Sequence, residues 1–181
     1  MNRGYFQKFQ IKDVVFLAIM SAVALATCAV MPLVISLQPL IFGISQLVTA
    51  LQIGVFFAIG LYKVRKPGSL LIMALMMGLI QLMMSPPMFL SSVLNGILIE
   101  LIVLLLFRGY EKDAAVFCAA MLHTPLSLPF NYLYNRLVKG ADSPPLATVG
   151  MTLAVVAVSA LGALIGIKIA RELKKSGVLK K

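Results

Sequence analysis

Acidic residues are scarce in this chain: six Asp and Glu among 181 residues, against sixteen Lys and Arg and a single histidine. So sparse a set excludes paired-carboxylate hydrolysis. No HExxH, Ser/Lys dyad or Walker sequence supplies another catalytic group, so no enzyme is expected. Without a Walker sequence the chain cannot drive transport by hydrolysing nucleotide on its own. Two cysteines, Cys28 and Cys118, are too few for a disulfide framework or a metal site. Both fall in apolar runs, where a thiol serves as a small packing group. No cofactor is implied.

What the chain has in abundance is apolar surface. It is 61% hydrophobic and 12% charged, with a mean hydropathy of +1.00, more than the interior of a soluble domain of this length can hide. A net charge of +10 would suit nucleic acid, but the cations sit in short clusters between apolar runs, as loops beside a bilayer do. The expected partner is therefore lipid and not nucleic acid. The runs predict six helices, at 14–31, 40–62, 68–84, 89–107, 114–134 and 147–170, forming one all-α integral membrane domain over 1–181. Leu25-Ala26-Thr27-Cys28 is close to a lipoprotein cleavage box, but Thr27 is poor there and more membrane sequence follows, so 14–31 reads as a helix. Ser85-Pro86-Pro87 is expected to interrupt the 68–107 hairpin. Pro125 and Pro129 are expected to kink or split helix five, freeing carbonyls toward the interior. Gly162-x-x-x-Gly166 offers a surface for close helix approach. Fourteen of the sixteen cations fall on the side of the two termini, which places both ends in the cytoplasm of a bacterial plasma membrane.

Polar side chains inside lipid are expensive and turn toward an interior or a cavity. Gln81 lies near the outer end of helix three, and Ser91, Ser92 and Asn95 in the outer half of helix four. Asn131, Tyr132, Tyr134 and Asn135 fall at the outer end of helix five, and Gln38 in the first outer loop. Each alone would serve as a staple between helices; gathered at one depth they suggest a small-molecule pocket opening outward. Met84 and the other methionines of helices three and four supply adaptable packing or a deformable wall. The uncharged loop 32–39 would cap the pocket. Glu100 is the one carboxylate placed in lipid, and residue counting sets it level with His123, so the two are expected to pair, with or without a ligand between them.

A basic head leading to Lys12-Asp13 and then Ala18-Ile-Met-Ser-Ala22 resembles the first helix of the substrate-binding S components of energy-coupling-factor (ECF) importers. The Arg65-Lys66-Pro67-Gly68 turn, the Gly96-to-Glu100 stretch ending in Phe107-Arg108 and the six-helix length are similar to the YkoE-like, thiamine-related branch. The resemblance implies capture of a thiamine- or pyrimidine-like compound and its delivery through a transmembrane coupling subunit and two ATPase subunits. It makes Ala18 and Ala22 the face on which coupling helices approach; the expected substrate-binding set, read from the polar and midplane residues above, is Gln38, Gln81, Met84, Asn95, Glu100, His123, Asn131, Tyr132 and Asn135. This chain has Gln81, Met83 and Met84 where that branch carries an acid, so a cationic substrate loses a counter-charge. An apolar tetrapyrrole such as haem is the alternative ligand; a small membrane enzyme using Glu100 and His123, or a scaffold, is the alternative class.

Overall fold

The computed structural model describes residues 8–28, 34, 43–83, 85–138, 140 and 145–177, the side chains of 145–147 excepted. Among them the chain is all-α, in six helices: α1 Ile11–Ala26, α2 Ile44–Val64, α3 Ser69–Leu82, α4 Pro86–Phe107, α5 Asp113–Val138 and α6 Pro145–Lys175. Three are long and apolar enough to cross a membrane by themselves: α2, α4 and the 148–175 part of α6. At 14 residues, α3 reaches only about 21 Å, and α1 has 16 described residues. These two, with the more polar α5, complete the bundle without meeting that test alone.

Chain punctuation sets the helix ends. Gly68, with φ +91°, opens α3. Arg65 and Arg108 close α2 and α4 in the left-handed region. Ser85-Pro86-Pro87 marks the break between the two helices of the hairpin, as expected: α3 ends at Leu82, Ser85 is the extended N-cap, and the prolines open α4. Proline suits a first helical turn, where the amide it lacks would be unbonded anyway. Pro125 and Pro129 do not split α5, which stays helical through both. The carbonyl that Pro125 cannot bond, Met121 O, instead accepts the Ser159 hydroxyl of α6 at 2.8 Å. One freed carbonyl thus becomes a link between helices, as the proline reading anticipates.

Helix α2 packs on α1, α3, α5 and α6, while α4 bridges α3 and α5. Its contact with α6 is the closest. A Cβ at Gly162 would collide with the Leu51 carbonyl, and one at Gly166 would stand 2.5 Å from Val55 O. The Gly162/Gly166 surface is therefore filled by α2 of the same chain. Leu17, Phe57, Leu61, Met73, Ile99, Val103, Val116, Ala119 and Ala120 belong to one buried cluster. Leu105, Leu106, Leu153 and Leu164 point outward, the apolar exterior that a bundle in lipid requires.

Candidate functional site

Buried polar groups occupy two levels of the bundle. The first is at the basic end, where Arg65-Lys66-Pro67-Gly68 joins α2 to α3 and reaches the other helices. Arg65 Nη2 bonds Asp113 Oδ1 of α5 at 2.5 Å, and Nη1 bonds the Glu111 carbonyl. Asp113 also accepts Arg171 of α6 at 2.7 Å. Lys66 Nζ bonds Asp13 Oδ2 of α1 at 2.6 Å and the Lys8 carbonyl at 2.9 Å. The Gly68 amide donates to Glu100 Oε1 of α4 at 2.6 Å, and the Tyr110 hydroxyl donates to Glu100 Oε2 at 2.9 Å.

Glu100 thus does for α3 what a capping side chain normally does. Its N-cap is a glycine, with no side chain to accept the free amides of the first turn. A carboxylate delivered by α4 stands there instead and accepts from the Gly68 amide, at the end of the helix dipole that favours negative charge. Gly96 makes the reach possible. A Cβ there would lie 2.6 Å from that of Ala74, so α3 and α4 meet one helical turn above the cap, and Ser92 bonds the Ala74 carbonyl at 3.0 Å.

Outside the spans, the titrating groups reflect their partners. Burial works against the Asp113 carboxylate, but Arg171 and Arg65 hold its carboxyl below the ordinary value of 3.8. Asp13 is held below it in the same way, chiefly by Lys66. Burial and the adjacent Glu100 carboxylate push the Tyr110 phenol well above 10.0, so it remains a donor.

The second level is deeper and has no such partners. Asn95 of α4 is 1% exposed, and His123 and Thr124 of α5 are 5% and 3% exposed. Asn95 Oδ1, both His123 ring nitrogens and Thr124 Oγ1 have no hydrogen-bond partner among the described residues. The imidazole lies 4.4 Å, centroid to centroid, from the Phe57 ring of α2, tilted by 44°. Helix geometry brings the three polar residues to one layer. Asn95 is twelve residues before the end of α4 and His123 ten after the start of α5, or about 18 and 15 Å from the basic end at 1.5 Å per residue. Ile99, one turn below Asn95, shares a cluster with Ala119 and Ala120, one turn below His123 and Thr124. Gly96 faces α3; Asn95 is offset from it by about 100° around α4. A buried polar atom without a partner costs about 1–3 kcal/mol, so these four atoms point to something that completes them.

The expected Glu100–His123 pair is not formed. Glu100 is seven residues from the end of α4, about 10 Å from the basic end. That is three residues, about 4.5 Å, nearer it than His123, and both its oxygens are taken by Gly68 and Tyr110. Of the other expected site residues, Asn95 and His123 are buried at similar depth on neighbouring helices. Gln81 at the far end of α3 is half-buried, as are Asn131, Tyr132 and Asn135, two to three turns beyond Thr124 on α5. Gln38, Met84 and, apart from Val34, the 32–39 loop lie outside the described residues. On α1, Ala22 is exposed and Ala18 half-buried, beside the outward Val15 and Ile19. The sequence reading missed Thr124, signalled only by its place next to the single histidine, and the Gly68 and Tyr110 partners of Glu100.

Residues 11–175, nearly the whole chain, match the profile of Trep_Strep, a family described as hypothetical bacterial integral membrane proteins. The chain belongs to this family. Membership sets it in a bacterial membrane as a multi-pass helical protein, in accord with its apolar exterior. A crystal structure of an S-component of an ECF transporter superposes with a TM-score of 0.66 at 24% identity, over 95% of this chain and 89% of that one. The likeness establishes a shared fold for this Trep_Strep protein. No curated protein matches it.

Proposed function

We propose that this chain is the substrate-capturing S component of an ECF-type importer. It would hold a vitamin-sized cofactor or precursor at the polar layer and pass it on through a coupling subunit and two ATPase subunits. The observation that carries the reading is the layer itself. Asn95, His123 and Thr124 present four orphaned polar atoms, in a bundle whose fold is that of an S component. Three further features support it. Fourteen of sixteen cations gather at the end of the termini, which favours termini in the cytoplasm and a layer reached from outside. The Ala22 position is open to a partner helix, as close van der Waals packing in lipid needs. The carboxylate–histidine pair that a membrane enzyme would use is absent, which favours binding over catalysis.

The test is native mass spectrometry of the full chain purified from host membranes, alone and co-expressed with an ECF module. The expected result is a retained small molecule, and an assembled complex that Ala18→Trp and Ala22→Trp abolish without releasing that molecule. A complex assembled at wild-type level by both tryptophan variants would remove the α1 face from the reading. A protein that retains no small molecule would remove capture itself.

A further inference from the structure

We infer that the substrate completed by this layer is an uncharged, planar heterocycle that both donates and accepts hydrogen bonds; the inference rests on the capture reading above and narrows its substrate class.

Charge is the first ground. Among the described residues Glu100 is the only buried side chain of fixed charge. Its carboxylate is engaged on both oxygens by the Gly68 amide and the Tyr110 hydroxyl, one helical turn nearer the basic end than the layer. Asp13, Lys66, Arg65, Asp113 and Arg171 pair among themselves at that same end. An ionic substrate at Asn95 and His123 would meet no counter-charge. Stripping an ion of water without one costs several kcal/mol. The cation of a thiamine-like compound is therefore disfavoured here, as is a carboxylate vitamin.

Hydrogen-bonding capacity is the second ground. Asn95 Oδ1 only accepts. A neutral imidazole has one nitrogen that donates and one that accepts, and the Thr124 hydroxyl does either. The four orphaned atoms together call for at least one ligand donor and one ligand acceptor. A ring nitrogen beside an amino or amide N–H offers both along one edge. The tilted Phe57 and His123 rings add an aromatic wall, against which a flat ring stacks more favourably than an aliphatic chain.

The experiment is a competition on the full chain in lipid nanodiscs, read by native mass spectrometry. The probes are nicotinamide, pyridoxine, riboflavin and a hydroxyalkyl aminopyrimidine as neutral members, thiamine and N-methylnicotinamide as cations, and nicotinate, biotin and pantothenate as anions. Molecules carried over from the host membrane are identified alongside. The expected result is retention of a neutral heterocycle, weakened about tenfold or more by Asn95→Leu and by His123→Leu, one hydrogen bond or more being lost in each. Asn95→Asp should shift preference toward the cationic probes. Thr124→Val, which keeps the side-chain shape, should also weaken retention while the protein melts as the wild type does. Retention of a charged probe that the same variants abolish would overturn the charge assignment and leave capture standing. Equal retention of a neutral molecule by wild type and all four variants would place its site elsewhere and overturn the layer. Retention of nothing, host molecules included, would overturn the capture reading and this inference with it.

Discussion

The turn at the basic end and the layer one helical turn above it both hold polar groups out of water, yet they are built to opposite rules. At the turn, Glu100 meets a backbone amide and a phenol, Asp113 meets two guanidinium groups, and Asp13 meets an ammonium. The Ser69 hydroxyl is the exception there, buried without a partner among the described residues. In the layer, Asn95, His123 and Thr124 leave four atoms unmatched. Polar groups that hold a fold together are satisfied by the fold, because an unsatisfied one destabilises it. On the capture reading proposed above, the open groups await a ligand, and the fold gives up some stability to keep them. The two levels should therefore respond to substitution with opposite signs.

The largest effect is expected at the satisfied level. Glu100→Leu removes the acceptor of the Gly68 amide and the Tyr110 hydroxyl together, and leaves the first turn of α3 without a cap. The loss should be about 3–5 kcal/mol, the range for breaking a buried charged network. Glu100→Gln keeps an acceptor and should cost nearer to 1–2 kcal/mol. Melting of the purified protein in one detergent, wild type against both variants, measures the ranking. A Glu100→Leu protein as stable as Glu100→Gln would show that the cap holds nothing.

In the layer the sign reverses. Asn95→Leu and His123→Leu replace orphaned polar groups with apolar side chains of comparable bulk, so the ligand-free protein should gain about 1 kcal/mol from either. The same substitutions should weaken ligand retention. A staple between helices behaves otherwise, losing stability when removed. A fall in melting temperature for both variants without ligand would put the layer under the same rule as the turn, and the comparison would collapse.

Much of this architecture is legible in the sequence, and the failures share one cause. All six helices follow from apolar runs, and the close α2–α6 contact from Gly162 and Gly166. The role of Pro125 was half legible: a freed carbonyl was foreseeable, its acceptance of Ser159 was not. Glu100 was misread because counting gives depth alone, and its partners lie in the turns at the basic end. More fundamentally, its partner is the amide of Gly68, and a backbone donor has no letter of its own. His123 was the nearest ionisable residue that could be named, so the sequence supplied a false partner. The spacing Gly96-x-x-x-Glu100 did hold the answer: a glycine for close approach, then, one turn on, an acid facing the glycine-capped start of α3.

Smaller effects are expected from the ion pairs of the turn, which are partly open to water. Asp113→Ala releases both Arg65 and Arg171. With the carboxylate about one-third exposed, solvent screening should keep the loss to about 1 kcal/mol. Added salt should shrink the wild-type advantage over this variant, since screening falls mainly on pairs that water reaches. No salt effect should appear in the difference between Glu100→Gln and wild type, because that contact is enclosed.

The smallest effect lies in the pH response, and its sign follows from the same pairs. The folded-state carboxyls of Asp113 and Asp13 sit below their ordinary value of 3.8. A group depressed on folding contributes its stability above the unfolded value and loses it as pH falls through the folded one. Both contributions are therefore complete at neutral pH and begin to fail only below about pH 5. Asp113→Asn should match a wild type measured in strong acid, and the gap between the two proteins should close as pH falls from 5 toward 2. With His123→Leu in both backgrounds, so that the layer holds no titrating group, Asn95→Leu should keep its offset from the His123→Leu parent across that acid range. An Asn95→Leu offset that vanished together with the Asp113→Asn gap would mean that the two levels are coupled through the bundle and do not answer to separate rules.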